Sequence, residues 1–167
     1  MWVHQAMKLF ISDLDDTLNT ISESRARLVP EDRSTNLAWA VWHHAHIMEQ
    51  PKHENIEIMN RHLRDGWEGM IWSARNDSCL TTTVKQVNSW LVKPAFTYDL
   101  RAAHDHRSPL QMKLDKLIDV VRRYQPEIIL VMEDDPAICE AININAELNE
   151  YGRPVGVIQV PQTGFHV

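Results

Sequence analysis

Short apolar runs alternate along this 167-residue chain with segments whose apolar residues recur at helical spacing. Strands that alternate with helical segments are typical of βαβ units and of a parallel sheet. The pattern therefore predicts an α/β fold with a five-stranded parallel sheet. The apolar runs place the strands at residues 8–12, 69–73, 95–98, 128–132 and 155–160.

Helices are predicted between these strands. The pair Asp135-Pro136 indicates a helix start, because Asp caps helix N-termini and Pro favours the first helical position. Three further segments have apolar residues on one helical face. These are Ile56, Met59 and Leu63, then residues 80–91, then residues 110–121.

Residues 19–53, called here the insertion, fit the alternation poorly. They contain RSTNLAWAVWHHAHIMEQPKH, which predicts one amphipathic helix that begins after Ser34 or Thr35 and ends before Pro51. We expect the insertion to follow the first strand and to lie over the end of the sheet.

Length and composition predict one soluble globular domain over residues 1–167. No apolar run approaches the ~20 residues needed to span a bilayer, and MWVHQAMKLF lacks the features of a secretory signal. Cys79 and Cys139 make no disulfide scaffold, so we expect both to be reduced packing residues in a cytoplasmic protein with no membrane partner. Nothing in the sequence indicates an oligomeric state.

The net charge of −6 argues against a general duplex-DNA binder, which would normally have a basic face. The charge is unevenly distributed. Residues 101–125 carry six basic and three acidic side chains, a net charge of +3, whereas residues 126–167 carry a net charge of −6. The basic segment could meet an anionic ligand or be an ordinary solvated helix face.

Three carboxylates follow the first predicted strand within four positions: Asp13, Asp15 and Asp16. Their mutual repulsion raises at least one pKa unless a cation lies among them. In parallel α/β sheets, ligands bind beyond the carboxyl ends of the strands. Two more strand ends should bring polar side chains to the same edge. They carry Ser73-Ala74-Arg75 and Glu133-Asp134-Asp135.

In these segments the sequence resembles the haloacid dehalogenase-like (HAD) phosphohydrolase superfamily. Four motifs occur in order across nearly the whole chain; the first is specific by itself, and the four together are a strong match. The resemblance implies a three-layer Rossmann-like fold with a small insertion after the first strand. The matching residues are Asp13-Leu14-Asp15-Asp16-Thr17-Leu18, Ser73 in MIWSAR, Lys113, and Asp134 and Asp135 in EDDP.

Several segments are similar to the phosphatase half of bacteriophage polynucleotide kinase/3′-phosphatase and its small phage relatives: HLRDGWEGMIWSARND, NSWL, YDLRAAHDHRSPLQMK and LVMEDDPAICEAI. The chain departs from that pattern at Asp16 and Ala74, where Gly is usual, at Leu100 for Met, and at Pro136 for Arg. It also has no GxxxxGK(S/T) kinase motif, which removes the clearest indication of a polynucleotide substrate.

The resemblance implies a role for each matching residue. Asp13 would be the nucleophile that forms an aspartyl-phosphate, and Asp15 the general acid and base. Ser73 and Lys113 would hold the phosphoryl oxygens. The implied Mg²⁺ ligands are Asp13, the Asp15 carbonyl, Asp134 and Asp135, and the implied substrate contacts are Thr17, Arg75, Arg101 and Arg107.

The tryptophans and histidines of the insertion have two interpretations. His43 and His46 are spaced to share a metal ion, but no third ligand is fixed nearby. We favour a covering helix whose Trp39 and Trp42 exclude water, stack on a nucleobase or simply pack in the core.

We expect a Mg²⁺-dependent phosphomonoesterase that acts on the 3′-phosphate of a nucleic acid or nucleotide. A small insertion in place of a large cap would leave the site open to a bulky substrate end. The first alternative is a phosphatase of mononucleotides or other small molecules. The second is a HAD fold that serves as a non-catalytic binding module, although a complete set of motif residues speaks against it.

Overall fold

Five parallel strands form one sheet in the order β3-β2-β1-β4-β5. The computed structural model describes residues 6–145, 148, 152, 154–163 and 165. The prediction of an α/β fold with a five-stranded parallel sheet is confirmed. The strands are β1 (Lys8–Ser12), β2 (Glu68–Asn76), β3 (Thr97–Arg101), β4 (Ile128–Glu133) and β5 (Val155–Gln159).

The third strand begins two residues later than predicted and ends at Arg101. Phe96, inside the predicted strand at 95–98, donates its N–H to the carbonyl of Gly69 (2.9 Å) and leads into the ladder, which starts with Thr97 opposite Met70. β3 lies at the sheet edge and contains the charged residue Asp99. The apolar residues used for the prediction therefore mark the start of the strand but not its end. The second strand also extends beyond its prediction, to Asn76.

Helices cover both faces of the sheet, because successive strand residues point to opposite sides. Leu9 and Ile11 of β1 pack with α5 and α6, whereas Phe10 packs with α3 and α4. These helices are α3 (His53–Arg64), α4 (Leu80–Asn88), α5 (Pro109–Tyr124) and α6 (Pro136–Asn143).

The N-terminal ends of α5 and α6 are fixed by side-chain caps. Ser108 accepts a hydrogen bond from the N–H of Gln111 (3.1 Å) ahead of Pro109. Asp135 accepts from the N–H of Ala137 (2.9 Å), with Pro136 at the first helical position, as predicted. Both caps lie beside strand ends, so they fix where α5 and α6 begin relative to the site.

The insertion leaves and rejoins the core through paired backbone. Thr20 N–H donates to the Gln50 carbonyl (2.9 Å), and Lys52 N–H donates to the Leu18 carbonyl (2.8 Å). An isolated antiparallel bridge joins Asn19 and Pro51. The segment is therefore closed at its base and held at the carboxyl end of β1.

The prediction of one continuous helix in the insertion is wrong. The segment contains α1 (Glu23–Ala26), α2 (Ala40–His44) and a 3₁₀ turn at Ala45–Met48. Near the change from α to 3₁₀, the carbonyl of Trp42 accepts a hydrogen bond from Nε of Arg25 (2.9 Å). Tertiary hydrogen bonds thus override the helical periodicity that the sequence shows.

Cys79 and Cys139 are both buried free thiols, as the sequence predicts. Within the described part of the chain, no helix combines the length and the apolar character needed to cross a membrane.

Asp16 has a left-handed backbone conformation, with φ of 66°, and is buried. Its carboxylate accepts from Nζ of Lys52 (2.7 Å) and from the N–H of Thr163 (2.9 Å). Non-glycine residues rarely adopt this conformation, although Asp tolerates it better than most. The two hydrogen bonds explain why an aspartate is stable in this conformation.

Replacing Asp16 tests the cost of a side chain in this left-handed conformation. Asp16→Ala should lower the free energy of unfolding by about 0.5–1 kcal/mol more than Asp16→Gly, measured by urea denaturation. Both variants lose the two hydrogen bonds, but only alanine pays about 1–2 kcal/mol for a β-carbon at positive φ, partly offset by about 0.4–1 kcal/mol from its less flexible unfolded chain. An alanine variant as stable as the glycine variant would contradict it.

Candidate active site

The carboxyl ends of the central strands border a cavity of about 470 Å³. β1 lies between β2 and β4, so residues that follow these three strands converge. Every predicted site residue except Thr17 lines this cavity. These residues are Asp13, Asp15, Ser73, Arg75, Arg101, Arg107, Lys113, Asp134 and Asp135.

Lys113 joins two carboxylates at the base of the cavity. Its Nζ donates to Oδ1 of Asp13 (2.8 Å) and to Oε2 of Glu133 (2.6 Å). Burial alone would lower the pKa of Lys113, but the charges of Asp13 and Glu133 raise it above its usual value. Lys113 is therefore a stable cation, and two of its three N–H groups are used by these carboxylates.

Thr17 connects Asp13 with Asp134. Its hydroxyl lies 2.9 Å from Oδ2 of Asp13 and 2.9 Å from Oδ1 of Asp134. A hydroxyl has one hydrogen to donate, so it can donate to only one of the two carboxylates. Thr17 thus fixes the distance between these acids without lining the cavity.

Asp13, Glu133 and Asp134 form a buried acidic triad, with one carboxylate oxygen of each within 4.8 Å of the others. Burial and the charge of Asp13 raise the pKa of both Glu133 and Asp134. With all three ionised, one lysine balances three negative charges. Such a cluster of oxygen donors could hold a metal ion, and oxygen ligands are those that Mg²⁺ prefers.

The triad differs from the predicted metal ligands in three residues. Glu133 is a member that the prediction omitted, although its place at the strand end was a signal for it. Asp135 lines the cavity, but its carboxylate caps α6. The Asp15 carboxylate also lies outside the triad, which leaves only its backbone carbonyl as the predicted ligand.

Asp15 is held by two guanidinium groups. Nη1 of Arg25 (2.7 Å) and Nη2 of Arg75 (2.6 Å) both donate to its Oδ1, and Nε of Arg75 donates to Oδ2 (3.2 Å). Burial alone would raise the pKa of Asp15, but the two arginines hold it well below its usual range. Asp15 is therefore an oriented carboxylate in the resting protein.

Arg25 is a site residue that sequence reasoning missed. Its side chain is buried, and its guanidinium lies 3.8 Å from the ring centre of Trp42. The contact with Asp15 spans ten residues and depends on how the insertion folds back, so no local pattern marks it.

Two of the predicted phosphate-binding residues differ in how their donors are used. Ser73 accepts from the N–H of Arg75 (3.0 Å), which leaves its own hydroxyl hydrogen to donate into the cavity. Arg75 donates from Nη1 to Thr83 (2.8 Å) in addition to its two bonds to Asp15. Each Arg75 nitrogen thus meets a protein group, which fixes the guanidinium, whereas the Ser73 hydroxyl is available to a phosphoryl oxygen.

Arg101 and Arg107 line the cavity in different ways. The buried Arg101 donates from Nη1 to the carbonyls of Asp105 (2.9 Å) and Arg107 (2.7 Å), so it shapes the loop between β3 and α5. Arg107 is 42% exposed and pairs with Asp105 and Asp115 at 2.7 Å each. Its exposure leaves Arg107 able to exchange these partners for a ligand phosphate.

The insertion forms another wall of the cavity, with Trp39, Trp42 and His43 among its lining residues. Asn36 donates from Nδ2 to the carbonyl of Ala103 (2.6 Å), which joins the insertion to the loop after β3. The mouth of the cavity is therefore bounded on that side by two segments in contact.

His46 does not pair with His43 around a metal. Its ring nitrogens lie 3.0 Å from Oε1 of Gln86 and 2.9 Å from Oγ1 of Thr82. Within the described ranges, the acidic triad is a group of three neighbouring metal-ligating side chains, and the insertion contains no such group. His46 instead anchors the 3₁₀ turn to α4.

No family model matches the chain, and no curated protein matches it. Two solved structures of the Pnkp1/Rnl/Hen1 RNA repair complex contain chains of similar fold, each with a TM-score of 0.64. Their sequence identities are 16% and 13%. Both matches cover 98% of this chain but only 45% and 49% of the matched chains, so this chain spans about half their length.

The acidic triad predicts a cation that stabilises the folded protein. Saturating Mg²⁺ should raise the melting temperature of the unaltered protein and of Asp135→Asn, but not of Asp134→Asn, because only Asp134 belongs to the triad. Binding at 100 times the dissociation constant contributes about 2.7 kcal/mol. Asn keeps the helix cap at position 135, so the two variants are a matched pair.

Excess EDTA is the control and should abolish the increase. Loss of the response in Asp135→Asn, with retention in Asp134→Asn, would reverse the assignment of the two acids.

Proposed function

We propose that this protein is a Mg²⁺-dependent phosphomonoesterase of the HAD type that acts through an aspartyl-phosphate on the 3′-phosphate of a nucleic acid or nucleotide. The supporting observation is the environment of Asp13. One of its carboxylate oxygens meets Lys113 and the other meets Thr17, at a cavity lined by Asp134 and Asp15. This is a nucleophile with a cation on one side and a proton-transfer group two residues away.

Two displacements at phosphorus complete the reaction. An oxygen of Asp13 bonds to phosphorus while the bond from phosphorus to the substrate alcohol breaks, and the alcohol takes a proton from Asp15. Water then attacks the aspartyl-phosphate, gives its proton to Asp15, and releases phosphate and the Asp13 carboxylate. Because Asp15 is ionised in the resting protein, it takes up a proton from solvent or from a monoanionic phosphomonoester before the first step, and water returns a proton to it in the second step.

The arginine pair orients Asp15 for both proton transfers, but the lowered pKa makes its protonated form scarce and its ionised form a weak base. Arg25 and Arg75 orient its carboxylate and favour the ionised form. In the first step a protonated Asp15 is consequently a strong acid towards the leaving alcohol. In the second step the ionised form is the one that receives a proton from water.

The residues at the strand ends fit Mg²⁺. Asp13, Asp134 and the Asp15 carbonyl would hold it, with Glu133 and Asp135 beside them. The ion would neutralise charge on the phosphoryl group. The fit rests on three buried carboxylates that one lysine does not balance.

Ser73 and Lys113 hold the phosphoryl oxygens in this proposal. Ser73 retains its hydroxyl hydrogen, and Lys113 has one N–H beyond the two that meet carboxylates. Thr17, which the sequence assigns to substrate binding, instead positions Asp13 and Asp134. Phosphoryl transfer depends on positioning and charge neutralisation, which these donors supply.

Two observations favour a nucleic-acid or nucleotide substrate. The chains of similar fold belong to an RNA repair complex. Arg107 lies at the cavity, exposed, where a phosphate beyond the reacting one would pass. A phosphatase of small molecules is the alternative, and a non-catalytic binding module is disfavoured because Asp13, Ser73 and Lys113 all line one cavity.

A substrate panel tests the proposal. We expect phosphate release from 3′-phosphorylated oligonucleotides and 3′-mononucleotides in Mg²⁺, and slower release from their 5′-phosphorylated counterparts. Activity on 5′-phosphates alone would remove the 3′ assignment. Absence of activity on every phosphomonoester tested would leave the binding-module alternative.

Asp13→Asn should reduce phosphate release by about 10³-fold or more, because the amide is a poor nucleophile and a weaker ligand for a cation. Asp77→Asn, at an exposed position outside the cavity, is the matched control and should keep full activity. Initial rates with a 3′-mononucleotide provide the measurement, and melting curves confirm folding. An active Asp13→Asn variant would exclude the aspartyl-phosphate.

Arg107→Ala should reduce hydrolysis of a 3′-phosphorylated oligonucleotide more than that of a 3′-mononucleotide. A lost phosphate contact should also lower the slope of log kcat/KM against log salt by about one. Arg123, an exposed arginine of α5 that pairs with Asp119 outside the cavity, is the control position. Equal losses on both substrates would show that Arg107 contacts no second phosphate.

A further inference from the structure

The cavity wall formed by the insertion contains three side chains that phosphoryl transfer does not use: Arg33, Trp39 and His43. Arg33 is exposed and Trp39 is partly buried, whereas His43 is 7% exposed. They lie in the segment 33–43, so one short part of the chain brings an aromatic ring, an imidazole and a guanidinium to the site.

The tautomer of His43 follows from its hydrogen bond. Nδ1 accepts from the backbone N–H of Asn76 (3.2 Å), and a backbone N–H can only donate. The proton of the neutral ring is therefore on Nε2. Burial, assisted by the charges of Arg25 and Arg75, lowers the pKa of His43 to about 4, so the ring is neutral at pH 7.

Nε2 of His43 is available to a ligand. Among the residues that the structure describes, it has no hydrogen-bond partner, and the residue lines the cavity. His46, three residues later, differs in that both of its ring nitrogens meet protein groups. His43 thus offers an uncharged N–H donor to whatever occupies the cavity.

Trp39 is fixed beside this donor. Its ring is inclined by 22° to the ring of His43, with centroids 6.2 Å apart, and Trp42 packs edge-on at 5.7 Å. Its Nε1 donates to the carbonyl of Arg33 (3.3 Å), and the Arg33 guanidinium lies 5.8 Å from the Trp39 ring centre. Indole rings and guanidinium planes are the surfaces on which nucleobases stack.

We propose that Arg33, Trp39 and His43 form the subsite for the nucleoside that carries the scissile phosphate. The base stacks on the surface made by Trp39 and Arg33, and the Nε2–H of His43 donates to an acceptor of the nucleoside. A cavity of about 470 Å³ is within the size range of sites that enclose small ligands. The assignment rests on the proposed phosphatase function and specifies that the leaving alcohol belongs to a nucleoside rather than to a polyol.

The first experiment compares 3′-AMP with glycerol 2-phosphate, which also has a secondary alcohol as leaving group but no ring. Trp39→Leu and His43→Phe should each lower kcat/KM for 3′-AMP by about 10-fold or more relative to the loss on glycerol 2-phosphate, mainly through KM. His44→Phe, the same change at an exposed neighbour outside the cavity, is the control and should alter neither substrate.

The second experiment needs no catalysis. Adenosine should bind the unaltered protein in calorimetry, and Trp39→Leu should weaken its binding by about 10-fold or more, whereas ribose should not bind measurably. His44→Phe should bind adenosine normally.

The outcomes separate this subsite from the phosphatase proposal. Equal losses on 3′-AMP and glycerol 2-phosphate, or equal hydrolysis of the two by the unaltered protein, would overturn the nucleoside subsite while leaving the phosphatase intact. If neither compound nor a 3′-phosphorylated oligonucleotide is hydrolysed, the phosphatase proposal fails. The subsite then stands if adenosine binds in a Trp39-dependent manner, and it falls if adenosine does not.

Discussion

Three carboxylates lie within four residues at the end of β1, and each of them contacts at least one cationic side chain. Asp13 pairs with Lys113, Asp15 with Arg25 and Arg75, and Asp16 with Lys52. These cations come from α5, from β2 and from the insertion, so satisfying the acids brings together parts of the chain far apart in sequence. Unpaired buried charges are costly enough that this pairing constrains the whole carboxyl edge of the sheet.

The same constraint explains why the insertion belongs to the site and is more than a cover. Arg25 contacts Asp15, and its Nε also bonds the carbonyl of Trp42, which links Asp15 to the aromatic wall. Movement of that wall would therefore alter the charge environment of Asp15. In the proposed reaction, contact between substrate and the wall would thus be coupled to the acid strength of Asp15 through one guanidinium.

Local pattern was sufficient for the sheet and for the residues at strand ends, because apolar runs and the acids that follow them lie within a few positions of each other. It failed where contacts between residues far apart in the sequence determine the structure. Glu133 lies at the end of β4, where the pattern put an acid, but its contact with Lys113 is tertiary, and Arg25 is recognisable only once the insertion has folded back. The insertion lost its predicted helix for the same reason: its carbonyls and imidazoles bond to other elements rather than along one helix.

Asp13 and Asp15 are two residues apart but have different surroundings, and the roles proposed for the two acids rest on this difference. Two guanidinium groups orient Asp15 and favour its ionised form. Asp13 shares one lysine with Glu133 and lies against Asp134, whose pKa is raised, so its side of the cavity is short of positive charge. A divalent cation and a phosphoryl group would enter where that shortage lies, which is the physical reason for proposing the nucleophile at Asp13 and proton transfer at Asp15.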